Sequence, residues 1–307
     1  MVKYLASRGH SSIVLDNLST GYRDAVKFGE FVEGDIADTE LLGQLFNQHK
    51  IDGVMHFASF IEVGESVLKP SKYYRNNFAN TINLLDSMVE NKVNFFIFSS
   101  SAAIFGDPQY VPIDEQHPKV PVNPYGRSKL MVEEMLEDYR KAYGINYACL
   151  RYFNAAGSDP ENELGERHNP ESHLIPLVLK VAAGYEESIP LFGSDYDTPD
   201  GSCIRDYVHV NDLCSAHLLA LEKLRGGDES LHYNLGNGSG YSVREVIAIS
   251  EQVCGCKIPI VLVARRAGDP AVLVSDSSKA RSELGWKPVY SDLSIIIKHA
   301  WRWIECH

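Results

Sequence analysis

The chain reads Phe-Phe-Ile-Phe-Ser-Ser-Ser at residues 95–101 and Tyr-Gly-Arg-Ser-Lys at residues 125–129. The first run is typical of a buried strand that ends in small polar residues. On a helix, Tyr125 and Lys129 would project from the same face, one turn apart. Because a nearby ammonium group favours phenolate, we expect Lys129 to lower the pKa of Tyr125 and make it a proton acceptor. A serine at the end of the strand can hold a hydroxyl near the same point.

Such a Tyr–Lys pair also occurs on solvated helix faces, so the pair alone does not establish a catalytic role. The serines favour the functional interpretation, because open parallel sheets bind ligands at the carboxyl ends of their strands. Short apolar runs alternate with longer amphipathic ones along the first half of the chain, as strands and helices do in such sheets. We predict strands at residues 13–15, 31–34, 53–57, 95–98 and 147–152, and helices at residues 39–49, 70–91 and 124–143.

This alternation predicts an α/β fold with a Rossmann-like, doubly wound parallel sheet. We expect residues 1–155 to form a dinucleotide-binding domain. Residues 156–307 begin with a segment rich in Gly, Pro, Asp and Asn, and we expect them to form mainly a smaller α/β lobe that binds the substrate. Some of their segments would return to the first sheet.

Composition and charge exclude several classes of partner. The 307 residues are 44% hydrophobic and 23% charged, as in soluble globular proteins. The formal net charge of -12, without any basic run, argues against nucleic acid and anionic membranes, so an anionic ligand must be met by a few local cations. No apolar run suits a signal peptide or a membrane span. The six scattered cysteines predict reduced thiols, no metal site and a cytoplasmic protein.

Asp16 follows the first predicted strand and is the candidate for the acidic residue that binds the adenosine ribose in a dinucleotide-binding sheet. The alternative is a turn residue. In such sheets a strand, a Gly-rich turn and a helix precede this residue, and the 15 residues before Asp16 are too few for all three. We therefore expect roughly 15 to 20 further residues upstream in the authentic protein. In this chain, residues 2–10 would be the end of a helix, and the first strand and Gly-rich turn would be missing from the sheet.

Several short motifs occur in an order and at separations that resemble those of the extended short-chain dehydrogenase/reductases, and within them the UDP-glucose 4-epimerases. The resemblance covers nearly the whole chain. Its motifs are Leu15–Gly21, Glu33–Ile36, His56–Ala58, Val63–Val67, Ser99–Ala102, Tyr125 with Lys129, Leu150–Asn154, Arg205–Val210 and Gly268–Pro270.

The resemblance implies NAD as cofactor and reversible inversion at carbon 4 of UDP-glucose and UDP-galactose through a transient 4-keto sugar. Tyr125 would remove the 4-hydroxyl proton, and Ser101 would hydrogen-bond the same oxygen. The implied cofactor-binding residues are Asp16, Asn17, Asp35, Ile36, Phe57, Ala58, Asn76, Ser99, Lys129 and Tyr152. The implied substrate-binding residues are Ser101, Asn154, His173, Leu174, Phe192, Arg205, Arg266, Asp269 and Leu273.

Arginine forks match a pyrophosphate in geometry, which supports Arg205 and Arg266 as its ligands. The chain also departs from the family pattern. Ile61 stands where these epimerases often have a Lys near the cofactor phosphates, which puts that contact in doubt. Leu273 occupies a position that helps to set the size of the group at sugar carbon 2, so the acceptance of N-acetylated UDP-hexosamines is left open.

Two rival functions remain. One is another NAD-dependent UDP-sugar oxidoreductase or dehydratase, although Ala102 and Ala103 stand where dehydratases carry an acid pair. The other is a non-catalytic protein that binds the sugar nucleotide without NAD. The resemblance also implies a homodimer through the helices at residues 70–91 and 124–143, with apolar area from Leu130, Val132, Met135 and Leu136. The alternative is that these side chains face the sheet.

Overall fold

The computed structural model describes residues 1–266 and 269–307, so Gly268 of the predicted motif at residues 268–270 lies outside the described residues. The α-helices are α1 (Val2–Ala6), α2 (Thr39–Gln48), α3 (Val63–Leu68), α4 (Pro70–Tyr73), α5 (Asn80–Glu90), α6 (Pro124–Tyr143), α7 (Leu174–Ala182), α8 (Val210–Arg225), α9 (Val243–Cys254), α10 (Ser278–Glu283) and α11 (Leu293–Cys306). The strands are β1 (Ile13–Asp16), β2 (Glu30–Glu33), β3 (Val54–His56), β4 (Phe95–Ser101), β5 (Asn146–Tyr152), β6 (Asn154–Ala156), β7 (Ile189–Phe192), β8 (Ile204–His209), β9 (Ser230–Leu235), β10 (Gly240–Ser242), β11 (Ile260–Val263) and β12 (Val272–Leu273).

The chain divides into two compact units. The first unit comprises Met1–Gly106, Pro118–Arg151 and Cys214–Tyr233, and the second comprises Asp107–His117, Tyr152–Leu213 and Asn234–His307. In the first unit, β1 and β2 form a parallel pair, and a second sheet has the strand order β3-β4-β5-β9 with β3 parallel to β4. The predicted α/β class with a Rossmann-like parallel sheet is confirmed.

The core of the first unit lies between this sheet and helices α2, α5 and α6. Its buried side chains include Leu42, Leu85, Met88, Phe96, Phe98, Val132, Leu136 and Tyr147. Val132 and Leu136 are fully buried on α6 because the strict i, i+4 spacing points both at the same apolar surface. These two side chains therefore face the core, as the alternative interpretation of α6 proposed.

The sheet of the first unit is interrupted between β1 and β3. Among the strands that the structure describes, β1 pairs with β2 alone and β3 pairs with β4 alone. Residues Val2–Ala6 are helical. The helix at the start of this chain covers Val2–Ala6 rather than the expected residues 2–10, and β1 and β3 belong to different sheets.

The predicted helix at residues 70–91 is not continuous. A π-helical segment at Tyr74–Ala79 separates α4 from α5. The wide turn places the Asn77 side chain inward, where it accepts a hydrogen bond from the Phe60 amide (2.8 Å) and donates one to the Phe60 carbonyl (3.0 Å). Periodicity does not distinguish a π-helical turn from an α-helical one, and here the irregular turn fixes the loop that follows β3.

The second unit is built around β8. Strands β10 and β12 flank β8, which also pairs with β6, while β7 and β11 form a separate parallel pair. Helices α7, α9 and α11 pack together through a core that includes Ile175, Leu179, Val246, Ile296 and Ile297. Among the described residues, no helix combines the length and apolar character needed to cross a membrane.

Candidate active site

The first turn of α6 is fixed against the segment that follows β4. Asn123 caps the helix by accepting a hydrogen bond from the Gly126 amide (2.8 Å), and Pro124 occupies the first helical position, where no amide donor is needed. A Cβ at Gly126 would lie 2.4 Å from the carbonyl oxygen of Ala103, so only glycine permits this approach. The close contact brings Tyr125 to the end of β4.

The structure brings Ser99, Ser101, Tyr125 and Lys129 together within the first unit. The Lys129 ammonium donates a hydrogen bond to the Ser99 carbonyl (2.8 Å) and lies 5.9 Å from the centroid of the Tyr125 ring. The Ser101 side chain hydrogen-bonds Tyr125, and its hydroxyl also accepts a bond from the Ala103 amide (3.1 Å). A phenol, a hydroxyl and an amine are thus grouped as the sequence predicted.

The electrostatics differ from the sequence-based expectation. Burial raises the pKa of Tyr125 above its ordinary value, and the hydrogen bond from Ser101 offsets this only in part. Burial also lowers the pKa of Lys129 to about 7. The expected net lowering of the Tyr125 pKa is therefore wrong for the chain's own groups, because desolvation disfavours the phenolate and also the charged form of Lys129.

The residues proposed for the adenosine end of a dinucleotide meet in one cleft of the first unit. The Asn17 amide donates to the Asp35 carboxylate (2.6 Å), and Asp16 accepts a hydrogen bond from the Leu18 amide (2.7 Å). A Cβ at Gly21 would lie 3.2 Å from the Asp16 carboxylate oxygens, so glycine keeps space beside that acceptor. Predicted residues that line this cleft are Asp16, Asn17, Asp35, Ile36, Ala58 and Asn76.

This donor and acceptor set suits a ribose with free hydroxyls, since carboxylates accept hydroxyl protons and repel a 2'-phosphate. Phe57 is exposed at the same loop, and its ring lies 4.9 Å from that of His217. His56, by contrast, is fully buried and bonded to Thr81 (3.1 Å), and burial lowers its pKa to about 3. His56 therefore serves as a neutral packing residue.

The second unit holds the predicted substrate residues other than Ser101. Arg205 forms an ion pair with Asp269 (2.7 Å), and Leu273 lies beside Arg205 in the β8–β12 pair. The Arg266 guanidinium stacks over the Phe192 ring at 3.9 Å from its centroid. The Asp269 amide donates to the Arg266 carbonyl (3.4 Å), so Asp269 contacts both arginines.

The remaining predicted residues lie at element ends in the second unit. The Asn154 amide donates to the Asp206 carbonyl (2.8 Å) at the start of β6, and Tyr152 ends β5. His173 is the N-cap residue of α7, which begins at Leu174.

A cluster of two histidines and two glutamates precedes α7, and the sequence analysis did not single it out. His168 lies 3.2 Å from Glu166 and 3.5 Å from Glu171, and His173 also contacts the Glu166 carboxylate. The two carboxylates raise the pKa of His168 to about 10, while both imidazoles help to lower that of Glu166 to about 2. Charge balance inside this loop therefore depends on protonated histidine.

Glu133 is a second feature that the sequence analysis missed. Its buried carboxylate is bonded by the Ser100 hydroxyl and by two nitrogens of Arg151. The available signal was its position four residues after Lys129, which places both on one face of α6.

Comparison with known proteins identifies the family. Residues 1–236 match the model of the "NAD dependent epimerase/dehydratase family". The chain is 51% identical over 306 residues to a UDP-glucose 4-epimerase of Halalkalibacterium halodurans, a match that covers 100% of this chain and 92% of the relative.

Solved structures agree. A UDP-glucose 4-epimerase from Brucella ovis in complex with NAD is 48% identical, with a TM-score of 0.95 and coverage of 98% of this chain and 92% of that one. The UDP-Glc/GlcNAc 4-epimerase from Campylobacter jejuni is 44% identical, with a TM-score of 0.84 and coverage of 99% and 94%.

These matches confirm the resemblance read from the motifs, the class of enzyme (an isomerase) and NAD as the cofactor of the family. The chain belongs to the NAD-dependent epimerase/dehydratase family, and within it to the group of the UDP-glucose 4-epimerases.

Proposed function

We propose that this chain catalyses reversible inversion at carbon 4 of UDP-glucose and UDP-galactose through a transient 4-keto sugar. The observation that carries the proposal is the group of Ser101, Tyr125 and the buried Lys129, with Lys129 anchored to the Ser99 carbonyl at 2.8 Å. Proton transfer needs an acid–base group of fixed orientation, and this group provides one.

NAD is the proposed cofactor, and the cleft residues of the first unit would hold its adenosine portion. Asp16 accepts the ribose hydroxyls and Asp35 and Ile36 contact the adenine, while Ala58 and Asn76 line the same cleft. We assign Phe57, Ser99, Lys129 and Tyr152 to the nicotinamide portion. When bound, NAD supplies the hydride acceptor and a positive charge beside the phenol.

Tyr125 exchanges a proton with the 4-hydroxyl oxygen of the sugar. Ser101 hydrogen-bonds that oxygen and steadies the proton as it moves. Lys129, with a pKa of about 7, carries a partial positive charge at neutral pH and offsets the cost of phenolate in this buried position. Its bond to Ser99 keeps the ammonium beside the phenol.

The second unit supplies the proposed anchors for the nucleotide. Arg205 and Arg266 bind the diphosphate, because guanidinium groups match phosphate oxygens in pairs and stay charged. Asp269 bonds the uridine ribose, and Phe192, His173 and Leu174 contact the uridine portion. Asn154 reaches the sugar. Firm anchoring of the nucleotide leaves the sugar free to present either face for reduction.

We propose N-acetylated UDP-hexosamines as a second class of substrate to be tested. Leu273 of β12 lies beside Arg205 of β8, and its side chain is intermediate in size. The Campylobacter jejuni relative, by its name, acts on both classes of sugar, which supports testing both.

The decisive experiment supplies purified protein and NAD with UDP-galactose and then with UDP-N-acetylgalactosamine, and separates the products by chromatography. We expect UDP-glucose from the first. The matched variants are Tyr125→Phe, expected to lose activity by about 10²–10⁴-fold, and Tyr143→Phe at the exposed end of the same helix, expected to retain it. Absence of turnover of either sugar with NAD bound refutes the proposal.

The same sample separates the rival functions. A dehydratase would release a product that lacks one water, whereas a net oxidoreductase would accumulate NADH. The alanines at positions 102 and 103 disfavour elimination because they offer no acid or base. A protein that binds the sugar nucleotide without NAD would show UDP-sugar binding by calorimetry and no NAD binding.

We also propose a homodimer and a cytoplasmic location. Because Val132 and Leu136 are buried in the core and Met135 packs against it, Leu130 is the half-buried predicted residue left for an interface on α6. All six cysteines are free thiols, which suits a reducing compartment. Light scattering coupled to gel filtration measures the oligomeric state, and a mass of 34.3 kDa would contradict the dimer.

A further inference from the structure

The Glu133 carboxylate connects α6 to the two central strands of the first unit. Its Oε1 atom accepts hydrogen bonds from the Ser100 hydroxyl (2.7 Å) and from Arg151 Nε (2.9 Å), and its Oε2 atom accepts one from Arg151 Nη2 (2.7 Å). Ser100 lies on β4 and Arg151 on β5. One side chain thus fixes the helix to both strands.

A third attachment reaches the segment before Tyr125. The Lys119 ammonium lies 3.6 Å from Glu133 Oε2, and residue 119 belongs to the loop that leads into α6. The strands end at proposed site residues, since Ser101 follows Ser100 directly and Tyr152 follows Arg151. Every group that Glu133 holds is therefore next to, or leads into, a residue of the proposed site.

Burial makes this arrangement rigid. The side chains of Glu133 and Arg151 are 2% and 1% exposed, so water cannot replace a lost partner. Arg151 and Ser100 hold the pKa of Glu133 below its ordinary value despite burial. The carboxylate is thus ionised at neutral pH and both of its oxygens are occupied, which excludes it as a proton shuttle for the sugar.

We propose that Glu133, together with Arg151 and Ser100, is a positioning residue that sets Tyr125 and Lys129 of α6 against Ser101 of β4. This inference rests on the proposed function. Along α6, Glu133 lies about 6 Å beyond Lys129 and about 12 Å beyond Tyr125. A small rotation of the helix about this anchor would therefore move the phenol away from the serine hydroxyl.

The cost of such a shift is kinetic. A displacement of about 1 Å at reacting groups can lower a rate by about 10²-fold. The anchors proposed for the nucleotide lie elsewhere in the chain, so the affinity for the UDP-sugar should not change with the orientation of α6. Loss of the Glu133 anchor is expected to lower kcat while KM stays within about twofold.

The test compares Glu133→Gln with a control on the same helix. Glu137 also accepts two hydrogen bonds from an arginine, Arg140, but it lies one turn further on and is partly exposed. We expect Glu133→Gln to lower kcat by about 10–100-fold and to move the pH dependence of kcat to higher pH, because Ser101 then bonds the phenol less well. Glu137→Gln should change neither quantity.

Two further variants keep the test decisive if Glu133→Gln folds poorly. Ser100→Ala removes one hydrogen bond and leaves the ion pair intact, and we expect a smaller loss of kcat, about 3–10-fold. Arg151→Lys retains the charge but not the paired hydrogen bonds to Glu133, so its pH profile should differ from that of the wild type.

The outcomes separate this inference from the proposed function. An inactive wild-type protein with NAD bound overturns the proposed function. Active wild type with normal kcat and pH profile in Glu133→Gln, or in folded Ser100→Ala if the former cannot be purified, overturns the positioning role. A lower melting temperature with unchanged kcat and pH profile would show that Glu133 acts only on stability.

Discussion

Lys129 is a buried amine whose side chain is nearly inaccessible to water. Its bond to the Ser99 carbonyl and its position 4.9 Å from the Phe98 ring compensate only part of the lost hydration, which is why its pKa falls to about 7. Function and stability therefore oppose each other at this position.

We expect Lys129→Met to be more stable than the wild type by about 1 kcal/mol at pH 7, and to lose the epimerase activity proposed for the wild type. Because the folded pKa lies below that of the unfolded chain, the wild type gains stability as the pH rises from about 7 toward 10.5. The advantage of the variant should shrink over the same range. Urea denaturation at several pH values measures it, and a less stable variant at pH 7 would show that burial of this amine carries no cost.

Gly126 is the residue on which the contact between α6 and the end of β4 depends. In Gly126→Ala the new methyl group would overlap the Ala103 carbonyl, so α6 must shift and carry Tyr125 away from Ser101. We expect a loss of about 1–3 kcal/mol in stability and a larger proportional loss in kcat than in substrate affinity. Gly43→Ala on α2, where a Cβ meets nothing within 4 Å, should leave kcat unchanged. Equal kcat for both variants would contradict this account.

At this scale the sequence predicts which residues meet but not their charge. The i, i+4 spacing on α6 was sufficient to pair Tyr125 with Lys129. The direction of their pKa shifts depends on burial, which arises only when α6 packs against β4. Glu133 was not predicted, because its partners Ser100 and Arg151 are distant from it in sequence and contact it only in the folded chain.

At the scale of elements, the two sheets of the first unit differ in how far their strands are buried. The residues of β1 are all half-buried, whereas most of β4 is buried between two neighbouring strands. An isolated two-stranded pair is marginally stable and relies on packing against its surroundings.

We therefore expect the amides of β1 and β2 to exchange with deuterium at least about 100-fold faster than those of β4. Saturating NAD should slow the exchange near Asp16, the last residue of β1, and near Asp35, two residues after β2, since both line the proposed cofactor cleft. Mass spectrometry of peptic fragments resolves the two sheets. Equal protection of β1 and β4 would contradict the difference, and unchanged exchange with bound NAD would contradict the cofactor assignment.

Element positions were predictable where periodicity is strong, as for α2, α6, β4 and β5. The π-helical turn at Tyr74–Ala79 was not, because its apolar spacing resembles that of an α-helix while its single extra residue is fixed by the buried contact of Asn77 with Phe60. The fold class does not depend on such local differences. The position of the loop that follows β3 does depend on them.

At the scale of the whole molecule, the cluster before α7 links stability to pH. The folded pKa of Glu166 is lowered to about 2, so its contribution is present above about pH 4.5 and is lost as the pH falls through 2. The folded pKa of His168 is raised to about 10, so its contribution is complete below about pH 6.5 and is lost as the pH rises through 10. Both contributions are therefore complete between about pH 4.5 and 6.5.

We expect His168→Asn to be less stable than the wild type by about 1 kcal/mol at pH 6, after allowance for solvent screening, and by less at pH 10. Thermal denaturation at both pH values measures the difference. His49→Asn, which removes a histidine paired loosely with Glu30, is the control for the loss of an imidazole elsewhere in the chain. A constant difference between the two pH values for His168→Asn would contradict the linkage. No spacing rule predicted this cluster, because its members meet through an irregular loop rather than a helix or strand.

Strand β11 also affects the solubility of the protein. It lies at the edge of its two-stranded sheet among the described residues, and Ile260, Val261 and Leu262 are exposed along it. Such an edge is a template for pairing with another molecule. At low ionic strength the net charge of -12 keeps molecules apart, whereas salt shortens the range of this repulsion to about 3 Å at 1 M. Solubility should therefore fall as salt is added, and Val261→Lys should restore it, because a charge on the edge strand keeps neighbouring backbones from pairing.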